Sequence, residues 1–327
     1  MTTTTLNVRT YPGTHARIIA STDGMDRADW LKHRRGGIGG SDIAAILGEN
    51  PWRSPIDVWL EKTGRVEDQD PTERMVWGTR AEDMIAGGYA ADYVKVVRRV
   101  NAILCHKDHP HHRANLDRLI IDPTRGNGVL EVKNVGAWGE KAWADDNVPP
   151  HYMLQLQWYL HVTGLSWGVF AALIGGNKLI VRETQYDPEL AAIMVQAAAD
   201  FWQCVTDDTM PPAVSGDSEA VASIYPESNG DTTLLSVDAS ALVRQYIECK
   251  EAIATLEQSL DGIKARIQQE MGSAEIGLAD GYRVSWKSQT RATIDTKRLK
   301  AERSDIADEY SRETTTRTFN IKQDTSK

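Results

Sequence analysis

The sequence predicts an α/β core followed by a long coiled-coil-like helix and a small β-rich tail. Three observations carry that expectation. Short apolar runs of β type alternate with helical patterns up to residue 206. A stretch rich in Pro, Ser, Gly and Asp then occupies 207–237. Beyond it, Leu242, Tyr246, Cys249, Ile253, Leu256, Leu260, Ile263 and Ile267 follow a 4-3-4-3-4-3-4 spacing.

Taken in order, residues 1–27 read as a polar, loosely ordered lead-in. Within 28–65 the pattern gives a short helix, a glycine-rich turn, a helix 41–48, a Pro-Trp turn and a helix 54–62. A helix follows at 79–92, then strands at 93–104, 113–122 and 128–135. Residues 150–163 form a helix, 167–174 and 178–186 strands, and 188–206 a helix that opens with Pro188 in its first turn. The expected division is a core at 28–206, a linker at 207–237, a coiled-coil-like helix at 238–272 and an α+β tail at 273–327. In that tail 281–295 and 314–322 read as strands and 296–311 as helix. The 4-3 seam suits a partner helix, self-association included, or packing on the chain's own core.

Composition narrows the function classes. Hydrophobic residues make up 41% and charged ones 25% of 327 residues, the balance of a globular protein. Three widely spaced cysteines provide no disulfide framework and suit a reducing compartment. Neither a signal-peptide core nor an apolar run of membrane-spanning length is present, so a cytoplasmic location with no membrane partner is expected. A net charge of −9 argues against polyanion binding by overall charge. Nucleic acid would need a local basic surface, or metal ions masking carboxylates. Residues 273–327 carry 11 Lys and Arg against 9 Asp and Glu, a modest excess that solvated surface explains.

The chemistry concentrates in RANLDRLIIDPTRGNGVLEVKNV, residues 113–135. Two β-type runs flank a connection holding Pro123, Gly126 and Asn127-Gly128, which predicts a hairpin. A turn centred near 124–125 sets Asp117 opposite 131–133. Glu131 and Lys133 share a strand face, and Val132 turns to the core. Two carboxylates can hold a hard divalent cation, and an adjacent ammonium can orient or deprotonate a water. That set serves metal-dependent phosphodiester hydrolysis. The plain alternative is the solvated face of an edge strand, against which stands the apolar character of both runs.

Four other clusters stand out. Arg34-Arg35-Gly36-Gly37-Ile38-Gly39-Gly40-Ser41 precedes a helix and can cradle an anion, though it lacks a Walker ending, and Ser41 also suits an ordinary N-cap. Thr79-x-x-Glu82 matches a capping box, and Glu82 could instead be a further metal ligand. His151, Gln155 and Tyr159 form a polar stripe on an apolar helix, with Gln155 able to face a water nucleophile. Cys105 to His112 holds four histidines, but its spacing fits no standard zinc site, and it reads as a polar loop.

The order of these blocks is more specific than any one of them. RRGGIGGSDIAAILGENPW, WGTRAEDMIAGGY, ANLDRLIID, LEVKN and HYMLQLQWYLHVTG, over about 28–205, resemble the lambda-exonuclease/YqaJ family of phage recombination nucleases. The resemblance implies a PD-(D/E)xK, restriction-endonuclease-like core with a mixed central sheet flanked by helices. It implies Asp117, Glu131 and the Val132 carbonyl as metal ligands, and Glu82 helping to hold a second ion. Lys133 would orient or activate the water, with Gln155 in support. Arg34 and Ser41 would bind a 5′-terminal phosphate. Mg²⁺, or Mn²⁺, would be the cofactor, one or two ions per site. The implied activity is 5′→3′ degradation of one strand at double-stranded DNA ends, leaving 3′ single strands for an annealing protein of the RecT or Beta type. Relatives of this kind form ring-shaped trimers, so a homo-oligomer is implied. Two departures stand: Leu116 replaces the motif's proline, and Arg118 follows Asp117 where some members have glycine. Two alternatives are a related nuclease of other polarity or endonucleolytic habit, and a non-catalytic DNA-end binder or adaptor.

Overall fold

The run Trp167–Ile174 is apolar throughout, which is what a strand covered on both faces requires. The computed structural model describes residues 9–67, 70–313 and 315–323. In chain order the first elements are β1 (Arg17–Ser21), α1 (Arg27–Arg35), α2 (Gly40–Ile46), α3 (Pro55–Lys62) and α4 (Glu73–Asp92). Then come β2 (Val96–Arg99), β3 (Ala102–Cys105), β4 (Arg113–Ala114), β5 (Arg118–Ile121) and β6 (Gly128–Val135). A 3₁₀ segment (Ala137–Trp143) leads to α5 (Pro150–Thr163), β7 (Trp167–Ile174), β8 (Lys178–Gln185), α6 (Pro188–Thr206) and α7 (Ser218–Ile224). Finally there are α8 (Val237–Met271), β9 (Ile276–Ala279), β10 (Tyr282–Ser285), α9 (Thr296–Glu302) and α10 (Ser304–Glu309).

The main sheet has the order β2-β5-β6-β7-β8. β6 and β7 run parallel and the other pairs antiparallel, so the sheet is mixed. α5 is the crossover that a parallel pair demands. α4 lays Ile85, Ala86 and Tyr89 on Ile120, Leu130, Val132, Val169 and Ala171 of one face. α5 covers the other: a Cβ on Gly168 of β7 would come within 2.8 Å of Leu156. Strand alternation therefore sends Leu130 and Val132 toward α4, and Glu131 and Lys133 toward α5.

Several expected elements are redrawn. The lead-in contains β1, which joins β3 and β4 in a second sheet. The run 93–104 divides into β2 and β3, and 113–122 into β4 and β5, because each run crosses from one sheet to the other. The second crossing leaves Asp117 just ahead of β5. The stretch 207–237 holds α7, and its Asp217 is buried with a carboxylate oxygen accepting from the Val214 amide at 2.6 Å.

The chain forms two compact units, Met1–Val221 and Ala222–Lys327. In the second, Ser236 caps α8 by accepting from the Ala239 amide at 3.1 Å. None of the 35 residues of α8 is buried. The tail hairpin is β9–β10, turning on Asp280 and Gly281 with φ of 46° and 80°, the signature of a primed two-residue turn. No strand follows Ser285 among the described residues, so the strands expected through 295 and over 315–322 are absent, while Thr314 lies outside the described residues. Among the described residues no helix is long and apolar enough to cross a membrane.

Candidate active site

Register builds the site. Arg118 of β5 pairs with Leu130 of β6, which carries Asp117 to the level of Glu131. The Asp117 carboxylate accepts from the Val132 amide at 2.8 Å. Lys133 Nζ donates to Glu131 Oε1 at 2.7 Å and to Gln155 Oε1 at 3.0 Å. Gln155 Nε2 donates to the Tyr159 hydroxyl at 3.1 Å. The Lys133 ammonium also lies 4.6 Å from the centre of the Tyr152 ring, a cation–π contact. Thus Asp117, Glu131 and Lys133 meet at one place, as the spacing predicts, and Gln155 joins them, as the resemblance implies. His151, at the start of the same stripe, instead meets Trp52 edge-on at 5.1 Å.

Charge is unbalanced here. Burial pushes the Glu131 carboxyl up to about 8, and Asp117 adds to the rise. Glu82 on α4 is lifted to about 7 by burial and then by Asp117. Asp117 is raised by burial against the pull of Lys133 and the Val132 amide. Burial would lower Lys133, but Glu131 and Asp117 hold its ammonium above its ordinary value. Glu131 Oε2 and Asn115 Oδ1 are buried with no hydrogen-bond partner. A cleft of about 370 Å³ is lined by Thr79, Glu82, Asn115, Asp117 and Arg118.

Acidic oxygens that raise one another's pKa, with an unpartnered one among them, fit a divalent cation. No three His, Cys, Asp or Glu side chains form a closed ligand group among the described residues. Glu82 owes nothing to capping: Thr72 caps α4, accepting from Met75 at 3.3 Å, and Thr79 is mid-helix. Arg118, which stands where some family members have glycine, is buried and donates to Asp83 and to the Asp117 carbonyl.

The glycine loop has a different character. Asp42 closes the start of α2 by accepting from the Gly39 amide at 3.0 Å, so Ser41 is not the cap. Asp42 also takes Arg34 Nη2 at 3.0 Å, Arg53 Nη1 at 3.0 Å and Lys62 Nζ at 2.7 Å. Glu61 takes Arg34 Nε at 2.7 Å and Arg53 Nη2 at 2.6 Å. Burial opposes ionisation of Asp42, yet Lys62, Arg34 and Arg53 hold it well below the usual carboxylate range. Asp42 in turn raises Arg34. A Cβ on Gly40 would come within 2.6 Å of the Tyr159 ring and 2.8 Å of Gln155 Cγ. Glycine there lets α2 touch α5 beside Gln155, so the loop and the carboxylates share a wall.

Asp42, Arg53, Glu61, Lys62 and Tyr152 escape the sequence reading. A signal existed for one of them: Lys62 lies three residues after Trp59 and four after Val58, in the apolar phase of α3. The histidine segment is a loop between β3 and β4, as expected, but its last side chain turns inward. His112 is buried, with Nδ1 3.1 Å from His161 Nε2. Burial and then the neighbouring histidines push His112 down to about 2. His106 stacks on His161 at 4.7 Å.

A mixed sheet flanked by helices, with an aspartate facing a Glu-x-Lys on the central strand, defines the PD-(D/E)xK class. The family model described as a YqaJ-like viral recombinase domain matches residues 29–166. The uncharacterized protein YqaJ of Bacillus subtilis (strain 168) is 35% identical over 315 residues, covering 94% of this chain and 98% of that one. The chain belongs to the YqaJ-like viral recombinase family. Among solved structures, the alkaline exonuclease LHK-Exo of Laribacter hongkongensis aligns with a TM-score of 0.48 and 19% identity, covering 55% of this chain and 93% of that one. A phage related exonuclease from Haemophilus somnus 129PT aligns with a TM-score of 0.35 and 12% identity, covering 53% and 96%.

Proposed function

We propose that this protein is a metal-dependent exonuclease that degrades one strand of linear duplex DNA 5′→3′ and leaves 3′ single strands for recombination. The observation that carries the reading is the meeting of Asp117, Glu131 and Lys133, with Glu131 Oε2 buried and unpartnered. Asp117, Glu131 and the Val132 carbonyl would hold one ion, and Glu82 would help with a second. A bound Mg²⁺ or Mn²⁺ supplies Lewis-acid stabilisation of charge developing on the phosphoryl oxygens. Lys133, kept as an ammonium, is suited to orient the attacking water as a donor rather than to take its proton. Gln155 fixes Lys133 from α5 and is itself fixed by Tyr159. Arg34 and Ser41 would receive the 5′-terminal phosphate. The product would pass to an annealing protein of the RecT or Beta type, and the enzyme would act as a homo-oligomer, a trimer if it follows the relatives it resembles.

A second reading has one observation in its favour: Arg34 already engages Asp42 and Glu61. A guanidinium so committed suits a nuclease indifferent to the 5′ phosphate. The deciding experiment digests linear duplex with Mg²⁺, labelled at either end, comparing 5′-phosphorylated with 5′-hydroxyl substrates. Preferential loss of the 5′-phosphorylated strand from its 5′ end supports the proposal. Cleavage without end or phosphate preference selects the second reading. No cleavage with Mg²⁺ or Mn²⁺ overturns both and leaves a DNA-end binder.

A further inference from the structure

A helix of 35 residues with no buried side chain lacks the packing that normally stabilises helices in proteins. α8 nevertheless carries an ordered apolar seam in solvent. Leu242, Leu256 and Leu260 are 65%, 69% and 66% exposed, and Ile253, Ile263 and Ile267 are exposed as well. Tyr246 lies edge-on to Phe319 of its own unit at 5.5 Å. With Tyr246, Ile253, Leu260 and Ile267 at a, the d positions are Leu242, Cys249, Leu256 and Ile263. The helix holds four Lys and Arg against six Asp and Glu over 237–271, which disfavours nucleic acid as the occupant.

From this seam and its flanking charges we infer that α8 pairs antiparallel with α8 of a second copy of this chain. The charges choose direction and register. The e positions are Val243, Lys250, Glu257 and Lys264, and the g positions are Gln245, Ala252, Ser259 and Arg266. A parallel pair sets g against e and forms no ion pair: Gln245 meets Lys250, Ala252 meets Glu257, and Ser259 meets Lys264. An antiparallel pair sets e against e and g against g. When Ile253 packs on Leu256 of the partner helix, all eight seam residues find a counterpart, from Leu242 against Ile267 to Cys249 against Leu260. In that register Lys250 and Glu257 pair reciprocally, and the small Ala252 and Ser259 face each other. A slip of one heptad in one direction brings Lys250 against Lys250. A slip in the other brings Glu257 against Glu257. Either slip also strands seam residues at the ends. Surface ion pairs contribute little each, so the seam provides affinity and the charges provide specificity.

The test is the mass of the full-length protein by light scattering, read against substitutions on the exposed face. Wild type should be an even number of chains, six if trimeric cores are joined in pairs through α8, and Leu256→Glu should halve its mass. Lys250→Glu and Glu257→Lys should each weaken pairing by roughly tenfold in Kd, and the double exchange should restore it. Leu260→Cys should cross-link with the native Cys249 on oxidation. A wild-type monomer, a mass that Leu256→Glu leaves unchanged, or a double exchange that fails to rescue would each overturn the inference. So would a disulfide between two Cys249 residues in the wild-type protein, which a parallel pair would form.

Discussion

Two buried carboxylates of this protein, Glu131 and Asp42, stand in opposite electrostatic situations. Asp42 is surrounded by Arg34, Arg53 and Lys62, and its charge is more than matched. Glu131 has one ammonium partner, a second carboxylate beside it and an oxygen with no partner at all. One carboxyl is held below its ordinary range and the other is lifted to about 8. The contrast separates a charge that supports the fold from one that the proposed function assigns to a metal ion. Where the chain itself supplies the counter-charge, the group is structural. Where it leaves a deficit, the proposed divalent cation would supply the missing charge.

That contrast can be broken most severely at Glu131. Glu131→Gln keeps an acceptor for Lys133 but removes the charge, so cleavage should fall on the order of a thousandfold. Its thermal midpoint without metal should not drop, because the lost charge was unfavourable where it lay. Strand-resolved digestion and a melting curve check the two halves separately. The converse substitution, Asp42→Ala, should cost about 3–5 kcal/mol of folding stability by leaving buried cations uncompensated, measurable by denaturant titration.

Acid sharpens the same difference. Asp42 has a folded pKa below its ordinary 3.8, so its stabilisation is complete above that pH and is lost as the pH falls below it. Melting temperature should therefore decline more steeply below about pH 4 in the wild type than in Asp42→Asn, each relative to its own value at neutral pH.

Much of this arrangement was legible in the chain. Strand β6, helix α5 and helix α6 lie where periodicity and Pro188 put them. The hairpin turn was enough to oppose Asp117 and Glu131. What was not legible depends on contacts distant in sequence. Nothing local separates the run 93–104 into strands of two different sheets, since both halves are apolar enough for either. Asp42 and Glu61 look like ordinary helix-surface acids until α2 and α3 bring them to Arg34 and Arg53. Thr79-x-x-Glu82 imitates a cap because the true start, at Thr72, offers only a weak signal.

Smaller effects probe the edges of the comparison. Ser41→Ala should narrow any preference for 5′-phosphorylated ends by roughly tenfold, about 1.4 kcal/mol, without the stability loss that changing Arg34 would bring. Competition between the two kinds of end in one tube reads this directly. In the second unit, Gly262 lies within α8 with open space around it. Gly262→Ala should stabilise that helix by about 1 kcal/mol and leave cleavage unchanged.

The central claim is that the unmatched carboxylates bind a divalent cation, and calorimetric titration of Mn²⁺ into wild type and Glu131→Gln tests it most directly. Saturable binding of one or two ions by the wild type, lost or strongly weakened in Glu131→Gln, is the expected result. Equal binding by both proteins, or none by the wild type, would contradict it.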